Sequence, residues 1–491
     1  MGIKRLFRVL LVVGPGLCTP SATLAQAVLP LCSYACKGHC GQVVPCITEK
    51  GTPTSSNCGP CGGPAQQPWE SLLSTSADCA NHVGRALSLH PDNPHYFQAT
   101  YRIGGSSVSE PVLIASHMNI VPTSTEVSYT GTIDQMSANN LRYGRVWHLL
   151  PFAANPDTVY WPWARQTGVP ADACYDSSKR RWNLLPTSGR IVENANYWPR
   201  MRGTVPPGPE PGALPYASER CITSEIMLFD KSGMLQGAWR FNPWAEGNNY
   251  PGFALPGCNG PGGGVPNFYN SALPGLRAAQ EAYVRTMIDE TLSKNVIYEI
   301  ENEHNRNDGG VWARYWGIFI KDYIDTIDPA HANPRLVSYS SLGADLNSAL
   351  IDQTNQIHVI NKHFAPPDED NFPGVLNVMS DYIRGSWGNG SQDYGKAINI
   401  DEFGNGLGSD HTPAGNCGSP SQLAYDSLRL RQMAWVIVAS GGHFHIEDVH
   451  DCFRWTYAQP IVDNIRSFVM ASAWNFVGSK PSFERERRPT A

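Results

Sequence analysis

The chain has 491 residues and a formal net charge of −6, with 41% hydrophobic and 16% charged residues. This is an ordinary globular composition, and the length allows one large domain and a small one. A pI near 6.2 and the lack of long basic runs argue against nucleic acid as a partner.

The N-terminus predicts a targeting segment. Lys4, Arg5 and Arg8 precede an apolar run at 9–17, and Ala-Gln-Ala at 25–27 offers the small residues of a cleavage site. The run is too short to span a bilayer, and no later run is long enough. We therefore expect residues 1–27 to be removed as a signal peptide and the chain to be secreted, to the extracellular space or the periplasm; a membrane anchor is the rival interpretation.

Cysteine usage fits an exported protein. Of 13 Cys, 12 remain once Cys18 leaves with the signal, an even number suited to disulfide bonds. Six lie in residues 28–66 with the spacing C-x3-C-x3-C-x5-C-x11-C-x2-C, among many Gly and Pro and without a helical or strand period. We expect a small disulfide-stapled module or linker, bounded by the Gly- and Pro-rich residues 59–68, because so few apolar residues form no core alone. A zinc knuckle is the alternative.

From about residue 80, apolar strands alternate with helices at 276–292, 312–325 and 421–439, which carry apolar stripes. Several strands are continuous apolar runs, as is typical of parallel strands buried on both faces. Eight such strands with helical crossovers predict a (β/α)8 TIM barrel over residues 80–491, with an open doubly wound sheet as the alternative. The strand candidates are residues 112–118, 141–147, 222–229, 295–300, 335–340, 357–364, 397–403 and 442–448.

Two long segments, 150–220 and 230–275, are dense in Pro, Gly and Trp. In a barrel they follow the second and third strands, on the C-terminal rim where active sites lie. Their Trp residues are therefore expected either to stack on sugar rings or to pack the insertions against the barrel. These residues are Trp161, Trp163, Trp239 and Trp244.

Two strands end in carboxylates. Residues 295–305 read NVIYEIENEHN and residues 397–406 read AINIDEFGNG. Because barrel strand ends converge over one pocket, we expect Glu303 and Glu402 to meet there. Hydrolysis of a glycosidic bond needs a proton donor and a second carboxylate, and a separation of about 5–5.5 Å lets the second attack directly with retention of configuration.

Carboxylates so close together would raise one pKa, which keeps an acid protonated near neutral pH. The strand tolerates Glu303 because that residue stands at its solvent-facing end. Glu299 and Glu301 lie further inside, so at least one is expected to pair with a cation, Arg145 being a candidate.

The two strand ends resemble those of clan A glycoside hydrolases, particularly the cellulase-like family 5 relatives. YEIENEHN is similar to their fourth-strand Asn-Glu signature and INIDEFG to their seventh-strand nucleophile. The resemblance covers about residues 85–480, and it implies a retaining barrel enzyme that needs no cofactor and acts on a β-linked glycan, glucan or mannan first. Its other matching segments are residues 90–97, Arg145, 161–165, 225–229, 280–285, 361–364 and 434–442.

By position, the resemblance implies that Glu303 is the general acid/base and Glu402 the nucleophile. Asn302 would donate a hydrogen bond to the sugar 2-hydroxyl. Arg145 would hold Glu402 ionised and oriented, or serve only as an ion-pair partner in the barrel core. His363, on the sixth strand, would lie near the nucleophile or the sugar, or be a hydrogen-bonded core histidine.

Four further residues complete the expected substrate-binding set. His117 ends the first strand and is expected to line the pocket or to be a core histidine, and Trp239 belongs to the third-strand insertion. His445 and Glu447 follow in the eighth-strand run GGHFHIEDVH, as polar groups that would hydrogen-bond a sugar.

The chain departs from the clan pattern at two places. His304 follows Asn-Glu where Pro is usual. The eighth-strand run lacks the Trp platform that the clan often has there, and Trp474 comes later, in a more helix-like region. These departures fall on the subsite that shapes the choice of sugar.

Two other classes of function stay open. In the first, His443, His445 and Glu447, with Asp448 and His450 close by, bind zinc or manganese in a metal-dependent barrel hydrolase. In the second, the barrel binds carbohydrate without cutting it, and the Cys-rich segment is an attachment device. The sequence does not decide endo against exo cleavage, disulfide pairing or oligomeric state.

Overall fold

The structure is a computed structural model. Trp239, Glu447 and the segment 1–27 lie outside the residues that it describes, and the predictions for them stay predictions. The described residues are 34–36, 58–60, 87–103, 106–123, 128–148, 160–164, 183–184, 186–203, 211–230, 243–244, 268–270, 274–303, 310–330, 335–340, 356–364, 395–403, 420–439, 441–446 and 457–469.

Within the Cys-rich segment the structure describes two short strands, β1 (Tyr34–Cys36) and β2 (Cys58–Pro60). They pair antiparallel, with Cys36 opposite Cys58. The disulfide framework expected there stays a prediction.

Three antiparallel strands precede the barrel and were not predicted: β3 (Ser88–His90), β4 (Asn93–Ile103) and β5 (Ser106–Val112). Phe97 and Ala99 of β4 are buried in a cluster with residues at the amino-terminal ends of the barrel strands. Tyr143 on β7 and Val359 on β11 are examples from opposite sides of the barrel. This small sheet therefore closes the amino-terminal end of the barrel, and the opposite, carboxyl end is left for the site.

Eight parallel strands form the barrel, in the spatial order β6-β13-β12-β11-β10-β9-β8-β7. The first and second strands meet through a parallel bridge between Ile120 and Val146, where the Ile120 amide lies 2.8 Å from the Arg145 carbonyl. The (β/α)8 prediction is confirmed, and the eight strands fall where they were expected. They are β6 (Ala115–Ser116), β7 (Tyr143–Val146), β8 (Thr223–Asp230), β9 (Val296–Asn302), β10 (Val337–Ser340), β11 (Val359–Phe364), β12 (Ala397–Phe403) and β13 (His443–Ile446).

Helices cover the outside of the barrel, and the three predicted ones are confirmed to within two residues at each end. None of the described helices is long and apolar enough to cross a membrane. The helices are α1 (Tyr129–Ala138), α2 (Trp198–Arg202), α3 (Ala213–Ser218), α4 (Pro274–Thr291), α5 (Val311–Ile327), α6 (Pro420–Ala439) and α7 (Gln459–Val469).

The main core lies between the barrel strands and these helices. On α5, Trp312, Trp316 and Ile320 recur at intervals of four and are buried on one face, which is why this segment forms a helix against the sheet.

Trp161, Trp163 and Trp244, from the two long insertions, belong to the same core. The Trp163 ring packs 5.1 Å from that of Trp244 and 4.9 Å from that of Tyr283 on α4. Because all three Trp side chains are buried, they fix the insertions against the barrel rather than offering faces to a sugar.

Candidate active site

Arg145, on β7, is fully buried and organises the carboxyl end of the barrel. Its Nη2 donates to both oxygens of Glu299, at 3.0 and 2.9 Å, and to the Asn302 side-chain oxygen at 2.9 Å. Its Nη1 donates to Glu402 Oε1 at 2.7 Å. The planar guanidinium offers five donors in a fixed fork, so one side chain ties β7 to both β9 and β12.

Asn302 is held from both sides of its amide. While its oxygen accepts from Arg145, its nitrogen donates to Asp230 Oδ1, the last residue of β8, at 3.2 Å. This fixes which end of the amide is the donor, and it leaves the second N–H of the nitrogen for a ligand.

Glu303 follows Asn302 directly, yet both side chains reach the barrel mouth. In a regular strand consecutive side chains point to opposite faces. Glu303 escapes this because its φ is 56°, in the left-handed region that residues other than Gly seldom adopt and that recurs at functional sites. Its backbone N–H lies 3.4 Å from the Ser340 hydroxyl, and its side chain is 28% exposed.

Asp401 and Glu402 on β12 are also consecutive residues whose side chains face the same side of the strand, but here the cause is a shift in strand pairing. Between Asn361 and His363 of β11 the pairing advances two residues, while β12 advances three, from Asn399 to Glu402. The pairing of β12 with β13 shows the same extra residue. This is a β-bulge, and because of it two consecutive acids both face the barrel interior.

His363, on β11, lies between the two candidate catalytic acids. Its Nδ1 is 2.9 Å from Glu402 Oε2 and 3.4 Å from Glu303 Oε1. Its Nε2 is 3.0 Å from the Ser340 hydroxyl and 3.4 Å from Asp401 Oδ1. One ligand-type atom from each of Glu303, His363 and Glu402 lies within 4.8 Å of the other two.

Charge fixes the protonation of this group. Burial would lower the pKa of the His363 imidazole, but the charges of Glu402 and Asp401 outweigh burial and raise that pKa well above its ordinary value. Burial would likewise raise the pKa of Asp401, but Arg145 and then His363 hold it below the usual value. These charges thus favour His363 as a cation at neutral pH, with a proton on each ring nitrogen.

A second layer of acids lies beneath, towards the amino end. Burial raises the pKa of Glu299 to about 8, with Arg145 opposing it and Glu225 adding to it. Burial is also the main cause that raises the pKa of Glu225. The Glu225 carboxyl group accepts hydrogen bonds from the Tyr143 and Ser338 hydroxyls and, at 2.9 Å, from the Asn361 side-chain amide. The barrel interior is therefore a connected polar network rather than an apolar core.

Two further predicted site residues, His117 and His445, have described contacts with residues other than the two candidate catalytic acids. The His117 Nε2 is 2.7 Å from the Gln459 side-chain oxygen at the start of α7, which favours the core-histidine interpretation. His445, on β13, is buried with its ring nearly perpendicular to that of Tyr143, 5.7 Å between centroids, and it helps to lower the pKa of Asp401.

One of the metal ligands considered in the eighth-strand run, His443, is hydrogen-bonded to backbone groups through both ring nitrogens. His443 Nδ1 accepts from the Ile114 amide at 3.2 Å, and its Nε2 donates to the His95 carbonyl at 3.2 Å. Burial lowers the pKa of His443 to about 3, so the ring is neutral and both nitrogens are engaged with backbone. His443 therefore joins the barrel to the small sheet. Asp448 and His450 lie outside the described residues.

Sequence reasoning missed Asp230, Ser340 and Asp401 as site residues, and it missed Glu225 as part of the polar network beneath the site. For Asp401 a signal was present, since it is an acid directly before a predicted nucleophile. The regular alternation of a strand would have turned one of the two acids away from the site.

No protein-family model and no curated protein matches the chain. Solved structures of similar fold include a glycoside hydrolase family 5 from Bacteroides vulgatus ATCC 8482, with 12% identity and a TM-score of 0.41 over 75% of this chain and 63% of that one. Another is PbGH5A, a glycoside hydrolase family 5 enzyme from Prevotella bryantii B14, with 10% identity and a TM-score of 0.40 over 71% and 87%. A third is a GH5-4 broad specificity endoglucanase from Clostridium acetobutylicum, with 10% identity and a TM-score of 0.39 over 72% and 96%.

This chain spans less than two thirds of the length of the Bacteroides protein. These three proteins are described as members of glycoside hydrolase family 5 or its subfamily 4. At such identities and TM-scores the likeness carries no argument about this chain, and the functional argument depends on the side chains described above.

Proposed function

We propose that this protein is a retaining glycoside hydrolase that cleaves β-glycosidic bonds in poly- or oligosaccharides by double displacement. The observation that supports it most is the approach of Glu303 and Glu402 at the carboxyl end of the barrel, with carboxylate oxygens within 4.8 Å of each other. Retaining enzymes hold their two carboxyl groups about 5–5.5 Å apart, whereas inverting enzymes need roughly 6.5–9.5 Å to admit a water molecule.

In the first step a Glu402 oxygen bonds to the anomeric carbon. The bond from that carbon to the leaving oxygen breaks, and Glu303 gives its proton to the leaving oxygen. Glu402 suits the attacking role because Arg145 and His363 each hold one of its oxygens, which fixes the direction of attack. Glu303 suits the proton transfer because it is the more exposed acid, at the edge where a leaving group departs.

In the second step Glu303, now a carboxylate, takes a proton from water. The water oxygen bonds to the anomeric carbon, and the ester bond to Glu402 breaks and returns its electron pair to that carboxylate. Asn302 is oriented to donate to the sugar 2-hydroxyl, because Arg145 and Asp230 set the direction of its amide.

The finer assignments follow from the sequence. We propose export, on the basis of the N-terminal signal pattern, and a glucan or mannan as first substrates, on the basis of the resemblance to cellulase-like relatives. A segment rich in Cys before the barrel would suit an oxidising compartment.

Two substitutions test the proposal on a panel of aryl β-glycosides. Glu402→Ala should lose at least about a thousandfold in kcat/KM on every substrate, because it removes the covalent nucleophile. Glu303→Ala should lose most on substrates with poor leaving groups and least on activated ones, which do not need the proton.

Glu402→Gln is the matched control for packing, since it keeps the volume and should be as inactive as Glu402→Ala. Turnover by Glu402→Ala at the wild-type rate would end the proposal. Wild-type protein that binds oligosaccharides but cleaves none would favour the non-catalytic barrel.

A further inference from the structure

Asp401 and Glu402 share the same two cations. Arg145 presents Nη1 to Glu402 at 2.7 Å and Nε to Asp401 at 3.3 Å. His363 presents Nδ1 to Glu402 at 2.9 Å and Nε2 to Asp401 at 3.4 Å. The four side chains form a closed ring of ion-pair contacts, in which each carboxylate lies between the two cations. Each cation also contacts one carboxylate outside the ring, because Arg145 Nε donates to Glu299 at 3.3 Å and His363 Nδ1 lies 3.4 Å from Glu303. We name this group the charge ring.

Asp401 is the member of the charge ring that lies away from the mouth. Its side chain is wholly buried, while that of Glu402 keeps 9% of its surface. An ionised carboxylate at such depth is stable only beside opposite charge. The β-bulge in β12 is what brings it there, so the backbone departs from regular pairing in a way that serves Asp401 as well as Glu402.

The ring is electrically balanced when Glu402 is free, with two positive and two negative charges. When the anomeric carbon bonds to Glu402, that carboxylate becomes a neutral ester and the ring carries one net positive charge. Without Asp401 the ring would carry two. Among the described contacts of His363, Glu303 at 3.4 Å would then be the carboxylate that remains beside the imidazolium, and it is 28% exposed whereas Asp401 is wholly buried. The pKa of His363 would therefore fall, and less imidazolium would be present when Glu402 has to leave the sugar.

We propose, on the basis of the function proposed above, that Asp401 is a positioning residue that keeps His363 cationic and in place, so that the departing Glu402 carboxylate is stabilised in the second step. Asp401 touches no reacting atom. It acts through His363 and Arg145, and its loss should therefore slow the breakdown of the glycosyl-enzyme more than its formation.

Other titratable groups also face Asp401, and a charge effect must be separated from theirs. His445 acts on it from β13, in the same sense as Arg145 and His363. Tyr143 on β7, Glu225 on β8 and Glu299 on β9 are the neighbours whose own pKa values Asp401 raises.

The test compares Asp401→Asn with the wild type on an aryl β-glycoside with an activated leaving group. For such a substrate kcat reports the second step and kcat/KM the first. Asp401→Asn should lower kcat by about tenfold or more, lower KM, and change kcat/KM much less. As the pH is raised, the kcat of Asp401→Asn should begin to fall at a lower pH than the kcat of the wild type, because His363 loses its proton at a lower pH.

A measurement that needs no substrate accompanies the kinetics. In protein labelled with 15N at histidine, the His363 signals are assigned by their loss in His363→Gln and followed through a pH titration. The wild type should show an imidazolium at neutral pH. Asp401→Asn should titrate about 1–3 pH units lower, as removal of an adjacent opposite charge does.

Glu225→Gln is the matched control. It removes an equally buried carboxyl group, but one that burial already favours in its neutral form and that contacts Tyr143, Ser338 and Asn361 rather than the nucleophile. It should leave the ratio of kcat to kcat/KM and the His363 titration close to those of the wild type.

The two proposals fail in different ways. A wild type that hydrolyses no glycoside contradicts the proposed function, and the histidine titration still reports on the ring. Active wild type with an unchanged kinetic ratio and an unchanged His363 titration in Asp401→Asn overturns the inference alone. If Asp401→Asn does not fold, a neutral His363 in the wild type at pH 7 overturns it as well.

Discussion

Replacing Arg145 by Met should destabilise the protein strongly as well as inactivate it. Met keeps much of the apolar stem but removes every donor from a position with no exposed surface. Glu299, Asp401 and Glu402 would each lose a cation at 2.9, 3.3 and 2.7 Å respectively.

Removing one partner of a buried ion pair costs about 3–5 kcal/mol. Three carboxyl groups share the one guanidinium, so the losses are coupled and do not add. The pKa of Glu299 is raised to about 8 even beside Arg145, so its neutral form is already favoured at pH 7 and it would lose hydrogen-bond donors rather than become an unpaired charge. We therefore expect a loss of about 3–5 kcal/mol in the free energy of unfolding, near the cost of a single pair.

Urea unfolding of wild type, Arg145→Met and the control Arg142→Met measures this. Arg142 lies three residues earlier and donates to the Arg220 carbonyl and the Asn140 side chain, outside the carboxylate network. Its loss should cost less, about 1.5–3 kcal/mol, as for hydrogen bonds made by a charged group. An unfolding free energy for Arg145→Met within the range of this control would refute the view that one cation holds the acids together.

Three further predictions test other parts of the structure. Phe97→Ala should lower the unfolding free energy by about 3–5 kcal/mol while leaving KM near the wild-type value, because it empties the amino-terminal end of the barrel far from the mouth. Asp230→Ala should lower kcat/KM more on an ordinary substrate than on an analogue that lacks the 2-hydroxyl, because Asp230 orients the Asn302 amide. Equal losses on the two substrates would contradict this role. The folded-state pKa of His443 is lowered to about 3 from an ordinary value of 6.5, so its contribution to stability is complete above pH 6.5 and is lost as the pH falls towards 3; His443→Asn should show a flatter fall in thermal unfolding temperature over that range.

The barrel could be predicted because its signals are local. Each strand is a run of apolar and β-branched residues long enough to recognise, and β12 falls on the predicted residues 397–403. Helices α4 and α5 were found because their apolar residues recur at helical spacing. The position of Glu303 and Glu402 at strand ends then followed from the geometry shared by all parallel barrels.

The site was less accessible to sequence reasoning because it departs from regular strand geometry. Alternation in β12 would turn Asp401 and Glu402 to opposite faces, and only the bulge directs both inward. The left-handed conformation of Glu303 likewise depends on its surroundings, since nothing in its own side chain favours a positive φ.

The small sheet of β3, β4 and β5 was missed for a different reason. Its strands are short or polar on one face, and their role appears only once the barrel end that they cover is formed. Trp161, Trp163 and Trp244 show a similar limit, because composition reveals an aromatic side chain but not which way it faces.

The central claim is that Glu402 forms a covalent bond to the sugar. It is tested most directly by trapping with a 2-deoxy-2-fluoro β-glycoside that carries an activated leaving group, followed by mass spectrometry of the digested protein. One fluorosugar should be found on the peptide that contains Glu402, and none in Glu402→Gln. A label on Glu303 instead, or full turnover of ordinary substrates with inverted product and no label at all, would contradict the proposed mechanism.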